Sequence, residues 1–120
     1  LDLLGEDDPE RVEAESVDAW RSLVTEAGED VSTRPEPTEW SALECLGHAD
    51  DDPAELLDLF GALRRANLSL WARTAPERRA RVGIHAERGP ESVDLMFRLL
   101  AGHDRFHLAQ ARRTLDAVRA

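Results

Sequence analysis

Apolar residues recur along this chain at intervals of three and four, the period of a helix with one buried side. Val12, Val17, Trp20, Leu23, Val24 and Ala27 share one side of a first helix, with Asp8-Pro9-Glu10 as cap and first turn and Gly28 as stop. Leu56, Phe60, Leu63, Asn67, Leu70 and Trp71 mark a second stripe, opened by Asp52-Pro53-Ala54-Glu55. The longest predicted helix runs from about Glu91 to Val118, with Val93, Met96, Leu100, His103, His107 and Gln110 on one continuous face.

Between these lie two further segments. Thr33-Arg34-Pro35-Glu36-Pro37-Thr38 reads as a proline-stiffened loop, and Ser41-Ala42-Leu43-Glu44 after it matches a capping box. Trp40 and Cys45 stand at the positions of a hydrophobic staple, so the box predicts a helix carrying His48 about two turns in. Residues 74–91, with Thr74, Pro76, Gly83, His85, Gly89 and Pro90, read as a long connection with one short helical turn after Thr74. No strand-like alternation stands out, and four helices with apolar faces predict an all-α antiparallel four-helix bundle.

Length and charge narrow the function. The 120 residues form one domain, 1–120, with room for a single core. No apolar run approaches the roughly 18 residues of a membrane span. Leu1-Asp2-Leu3-Leu4-Gly5-Glu6-Asp7-Asp8 lacks the basic region of a secretory signal, so a cytoplasmic protein without a membrane partner is expected. Twenty-five acidic against 15 basic residues give a net charge of −10, which repels phosphate backbones and argues against nucleic acid. Every basic residue is arginine, which removes lysine Schiff-base chemistry, and the single Cys45 excludes an internal disulfide.

The candidate chemistry is histidine. His103 and His107 are one helical turn apart, with Cβ atoms expected about 5–6 Å apart, so both imidazoles can converge on one ion. The plain alternative is a pair of partly buried core histidines. Of the other two histidines, His48 has the better-defined direction, since His85 lies in the loop segment. Asp104 could accept a hydrogen bond from an imidazole N–H or be a solvated acid. Asp50 and Asp51 could supply an oxygen ligand or general base, or simply suit a helix N-terminus. His85 and Arg88 are candidates for a pocket mouth, and Gln110 for orienting a ligand or substrate. Cys45 reads as structural, and Trp20, Trp40 and Trp71 as packing residues, with Trp40 also able to wall a pocket.

Three segments in order resemble the DinB-like metal-binding four-helix bundles, a family that includes bacterial thiol-dependent S-transferases related to bacillithiol transferase (YfiT-like). They are Trp40-Ser41-Ala42-Leu43-Glu44-Cys45-Leu46-Gly47-His48, Gly83-Ile84-His85-Ala86-Glu87-Arg88-Gly89 and Gly102-His103-Asp104-Arg105-Phe106-His107-Leu108-Ala109-Gln110. The resemblance implies that His48, His103 and His107 ligate a divalent ion, nickel or zinc, near one end of the bundle, and that His85 does not. Three neutral imidazoles leave positions open for water or substrate. It further implies a small-molecule substrate, a low-molecular-weight thiol such as bacillithiol or mycothiol as co-substrate, transferase or hydrolase activity, and a homodimer. A reading of another class is a stress-associated helical interaction module with a structural or vestigial metal site.

The chain departs from the family pattern after His48. Family members continue that helix and return by a long crossover, whereas five peptide steps from His48 to Pro53 reach at most roughly 18 Å. A 20-residue helix is about 30 Å long. The second helix is therefore expected to be shortened, or residues between about Ala49 and Asp52 to be missing, the second being favoured. A shortened bundle that completes itself in a dimer is the alternative.

Overall fold

Asp8 accepts a hydrogen bond from the Glu10 N–H at 3.2 Å and Pro9 takes the first helical position, so α1 spans Pro9–Ala27. Gly28 ends it at φ 56°, a left-handed conformation that glycine adopts without a Cβ clash. The structure, a computed structural model, describes residues 4–87 and 89–120. Asp52 caps α2 (Pro53–Arg73) by accepting from the Ala54 N–H at 2.9 Å. A short α3 (Pro76–Arg79) follows, the helical turn expected after Thr74. Ser92 caps α4 (Val93–Arg119) by accepting from the Leu95 N–H at 3.0 Å.

The chain is mostly helical, with a small sheet that the alternation pattern did not predict. β1 (Val82–His85) and β2 (Gly89–Ser92) form an antiparallel hairpin in the register Val82↔Ser92, Gly83↔Glu91, Ile84↔Pro90 and His85↔Gly89. Val82 and Ile84 are 62% and 79% exposed, so the hairpin buries no apolar face and leaves no alternating signature.

Cross-helix contacts fix the direction of the three long helices. Arg98 Nη2 donates to Gly5 O near the start of α1, and Arg119 Nη2 donates to Glu26 O near its end, so α1 and α4 run parallel. Trp71 Nε1 donates to Glu10, and Arg21 faces Asp58, so α2 runs antiparallel to α1. Trp20, Leu57, Phe60, Leu108 and Leu115 pack where the three helices meet, and Val31, Leu43 and Cys45 close that core from short 3-10 turns.

The segment expected to be a second bundle helix reduces to one 3-10 turn, Leu43–Cys45. Its capping box is complete: the Glu44 N–H donates to Ser41 Oγ at 3.2 Å and the Ser41 N–H donates to Glu44 Oε1 at 3.1 Å. Arg34 forks onto the same carboxylate at 2.8 and 2.7 Å, and this pairing, with the Ser41 bonds, brings the Glu44 pKa down to about 2. Farther on, Pro53 holds Asp52 in extended geometry (ψ 122°), where Asp52 serves α2 as its cap. Gly47 turns the chain against α2 so closely that a Cβ there would lie 2.5 Å from Asp51 Oδ2 and 2.6 Å from Leu56 Cδ2. The expected staple does not form, since Trp40 is 53% exposed while Cys45 is buried. Replacing Ser41 by alanine should cost about 1 kcal/mol of stability, read from the urea midpoint. An unchanged midpoint would mean that the Arg34 fork alone holds the turn.

α4 also buries a different face from the one its large apolar residues suggest. Phe97, Ala101, Asp104, Leu108, Ala111 and Leu115 point inward, while Met96 is 53% exposed. Ala101 and Ala111 are fully buried, and their small side chains allow the close approach of α1 that a face of leucines would prevent. Among the described residues no helix is long and apolar enough to cross a membrane.

Candidate metal centre

His103 and His107, one turn apart on α4, turn their rings toward each other. Their Nε2 atoms lie 3.1 Å apart, with ring centroids at 4.4 Å and planes at 69°. That is a hydrogen-bond distance, and it also falls within the roughly 2.9–3.4 Å that separates two nitrogens bound at about 2.0–2.1 Å to one tetrahedral or octahedral ion. His107 Nδ1 is 2.9 Å from Gln110 Oε1. An amide oxygen only accepts, so it selects the tautomer with the proton on Nδ1 and leaves the Nε2 lone pair of His107 facing His103. Gln110 thus orients the His107 ring.

The pair lies at the edge of a cavity of about 220 Å³ between α2, α4 and the 3-10 turn. Leu56, Leu59, Phe60 and Leu63 form the apolar wall opposite the imidazoles, with Trp20 and Cys45 deeper in. The His103 side chain is 62% exposed, so one ligand position opens to solvent rather than to the core. Of the plain alternative of two partly buried histidines, His107 fits and is half-buried, whereas His103 is exposed.

His48 sits elsewhere. It is exposed in the turn before α2, where its N–H donates to Asp51 Oδ2 at 2.7 Å and its carbonyl accepts from the Asp51 N–H at 3.0 Å. It lines a neighbouring cavity of about 420 Å³ with Asp51, Asp52 and Glu55. The two cavities share Leu46, Leu56 and Leu59, which stand between His48 and the histidine pair. Among the described residues no three histidine, cysteine or acidic side chains converge into a metal-holding group. The expected three-histidine set is therefore not assembled: His103 and His107 adjoin, and His48 stands apart from them.

Other candidates take definite places. Asp51 accepts the His48 N–H and so acts on local backbone, and Asp50 is exposed in the same turn and lines neither cavity. Cys45 is buried with Sγ 3.5 Å from Ser41 O, and burial pushes its thiol pKa up, which suits packing and not nucleophilic attack. His85 closes the β1 strand and accepts the Glu87 N–H on Nδ1 at 3.1 Å, lining neither cavity. Arg88 lies outside the described residues.

Asp104 is neither a solvated acid nor a hydrogen-bond partner of His103, whose Nδ1 is 3.8 Å away. It is 3% exposed and accepts both Nε and Nη2 of Arg64, the latter at 2.7 Å. Arg64 rests its guanidinium over Phe60 at 4.7 Å. Beside this pair Glu13 of α1 is fully buried, and neither of its carboxylate oxygens has a hydrogen-bond partner among the described residues. Burial pushes the Glu13 pKa up to about 7, against the pull of the Arg64 charge and of Asn67, which falls short of hydrogen-bond geometry. The sequence reading missed Glu13 and Arg64. Their signal was a charge inside an apolar stripe: Glu13 stands four and seven residues before Val17 and Trp20, and Arg64 four after Phe60 and seven before Trp71.

No family model, curated protein or solved structure matches the chain.

Proposed function

We propose that the chain is a divalent-metal-binding helical protein of the DinB-like kind, with His103 and His107 as anchoring ligands for nickel or zinc. The observation that carries this reading is the 3.1 Å approach of the two Nε2 atoms, with Gln110 fixing the His107 tautomer. His48 is the third ligand of the proposed set, and the turn at residues 47–52 would have to move past Leu46 and Leu59 for it to reach the pair. Bound there, a divalent ion supplies Lewis acidity, lowering the pKa of a coordinated water or small-molecule thiol. The chain's own residues do the rest. Leu56, Leu59, Phe60 and Leu63 exclude water from one side of the cavity and accept an apolar substrate surface. Arg64, held by Asp104, keeps α2 and α4 in register so that this wall stays opposite the imidazoles.

Elemental analysis of untagged protein after loading with nickel or zinc tests the reading. About one ion per chain is expected, with loss of stoichiometric metal in both His103→Gln and His107→Gln. Metal retained by both variants, or none taken up by the native chain, would overturn it. His48→Ala separates the sets: metal lost supports three histidines, and metal kept at native affinity reduces the centre to the pair. With one ion bound, thiol-transfer and hydrolytic substrates become the screen for turnover.

A further inference from the structure

Along the same α2–α4 seam, at the end away from the histidine pair, lies a second and larger cavity of about 580 Å³. That volume falls within the range of small-molecule sites. Beneath the cavity Trp71 stacks on Phe97 with centroids 4.3 Å apart and planes at 7°, both rings buried. Arg79 holds the Trp71 ring in place, its guanidinium 3.9 Å from the ring centroid and Nη2 donating to Trp71 O at 2.9 Å. Leu70 and Met96 form the walls, 61% and 53% exposed, so apolar surface here faces solvent rather than a packed neighbour.

The rim of this cavity is basic. Arg78 and Arg81 line the cavity and both are exposed. No acidic residue lines it, although acidic residues outnumber arginines 25 to 15 in the sequence. Arg11, Arg34, Arg64 and Arg119 meet carboxylates, at Asp7, Glu44, Asp104 and Asp30, whereas Arg65, Arg73, Arg112 and Arg113, like the two rim arginines, have none among the described residues. Among the described residues neither Arg78 nor Arg81 has an ion-pair partner. A chain of net charge −10 thus keeps two unpaired guanidinium groups beside this apolar groove.

We propose that this groove binds a small amphipathic carboxylate, an acyl or aryl acid free in solution. Its apolar body lies between Leu70 and Met96, and its carboxylate meets Arg78 and Arg81. Neither charge alone nor apolar area alone accounts for the arrangement, since the anion and the apolar body are recognised at adjoining places on one ligand.

Calorimetric titration of the full chain with octanoate, and with octanol as the uncharged counterpart of the same chain length, tests the assignment. Saturable one-to-one octanoate binding is expected, with octanol at least about tenfold weaker. Arg78→Gln combined with Arg81→Gln should weaken octanoate about tenfold and leave octanol unchanged. Both arginines are exposed, and the circular dichroism of the double variant checks that it folds. Met96→Glu is a second, independent variant that should abolish binding of both compounds. Equal affinities for the two compounds, or octanoate bound as well by the double arginine variant, would overturn the proposal. So would an absence of saturable binding, including the case where sedimentation shows a dimer that Met96→Glu dissociates and the groove belongs to a second copy.

Discussion

An Arg64→Met variant should unfold about 3–5 kcal/mol more easily than the native chain, measured by urea denaturation at pH 7.5. The guanidinium is the cation that Asp104 meets through two hydrogen bonds and that Glu13 senses through its charge. Methionine keeps much of the apolar contact with Phe60 but leaves a carboxylate that is 3% exposed without its counter-ion. Domains of this size hold only about 5–15 kcal/mol in all, so the loss is a large share of the total. Adding Asp104→Leu to Arg64→Met should recover most of it, because an apolar pair of similar volume carries no charge to desolvate. A loss below about 1 kcal/mol in the single variant would show that water reaches the pair in solution.

The second large effect is on pH dependence and comes from Glu13. Its folded-state pKa of about 7 lies above the ordinary 4.5, so between those values the folded chain holds a proton that the unfolded chain has released. Unfolding free energy therefore falls as pH rises through this window, and the full cost is present above pH 7. A shift of that size corresponds to about 3 kcal/mol. Glu13→Gln places a neutral amide in the same space and should remove this slope. The variant should match the native chain near pH 5 and exceed it in stability at pH 8 by up to about 3 kcal/mol. Parallel stability curves for the two proteins across that range would show that Glu13 is solvated or finds a partner.

These two predictions concern residues that the apolar pattern alone passes over, which shows how much the sequence discloses. Caps and prolines placed α1 and α2 closely, because Asp8-Pro9 and Asp52-Pro53 act through local geometry that tertiary contacts seldom override. The inward face of α4 was not legible in the same way. Val93, Met96 and Leu100 have the correct spacing, but so do Phe97, Ala101, Asp104, Leu108, Ala111 and Leu115, and α1 packs against the set with small residues. The capping box at Ser41 was legible and forms, yet it starts a single turn, since how far a helix continues depends on tertiary packing, here the close turn of Gly47 against α2. At the candidate site, the His103 and His107 pair and the role of Gln110 follow from one helix and could be read directly. Bringing His48 to them depends on the turn after Cys45, which helical spacing does not encode.

The parallel pairing of α1 with α4 sets how this chain reaches its fold. Bonds that seat the two helices, Arg98 to Gly5 and Arg119 to Glu26, each span 93 residues of sequence. Helical proteins with mostly local contacts close short loops and fold in microseconds to milliseconds, whereas contacts of this range require closing nearly the whole chain first. α1 and α2 can associate early, but the surface of α1 that receives Ala101, Leu108 and Ala111 stays exposed until α4 is made. Folding should accordingly be slower than the helical content suggests, and during synthesis the first helix waits for the last.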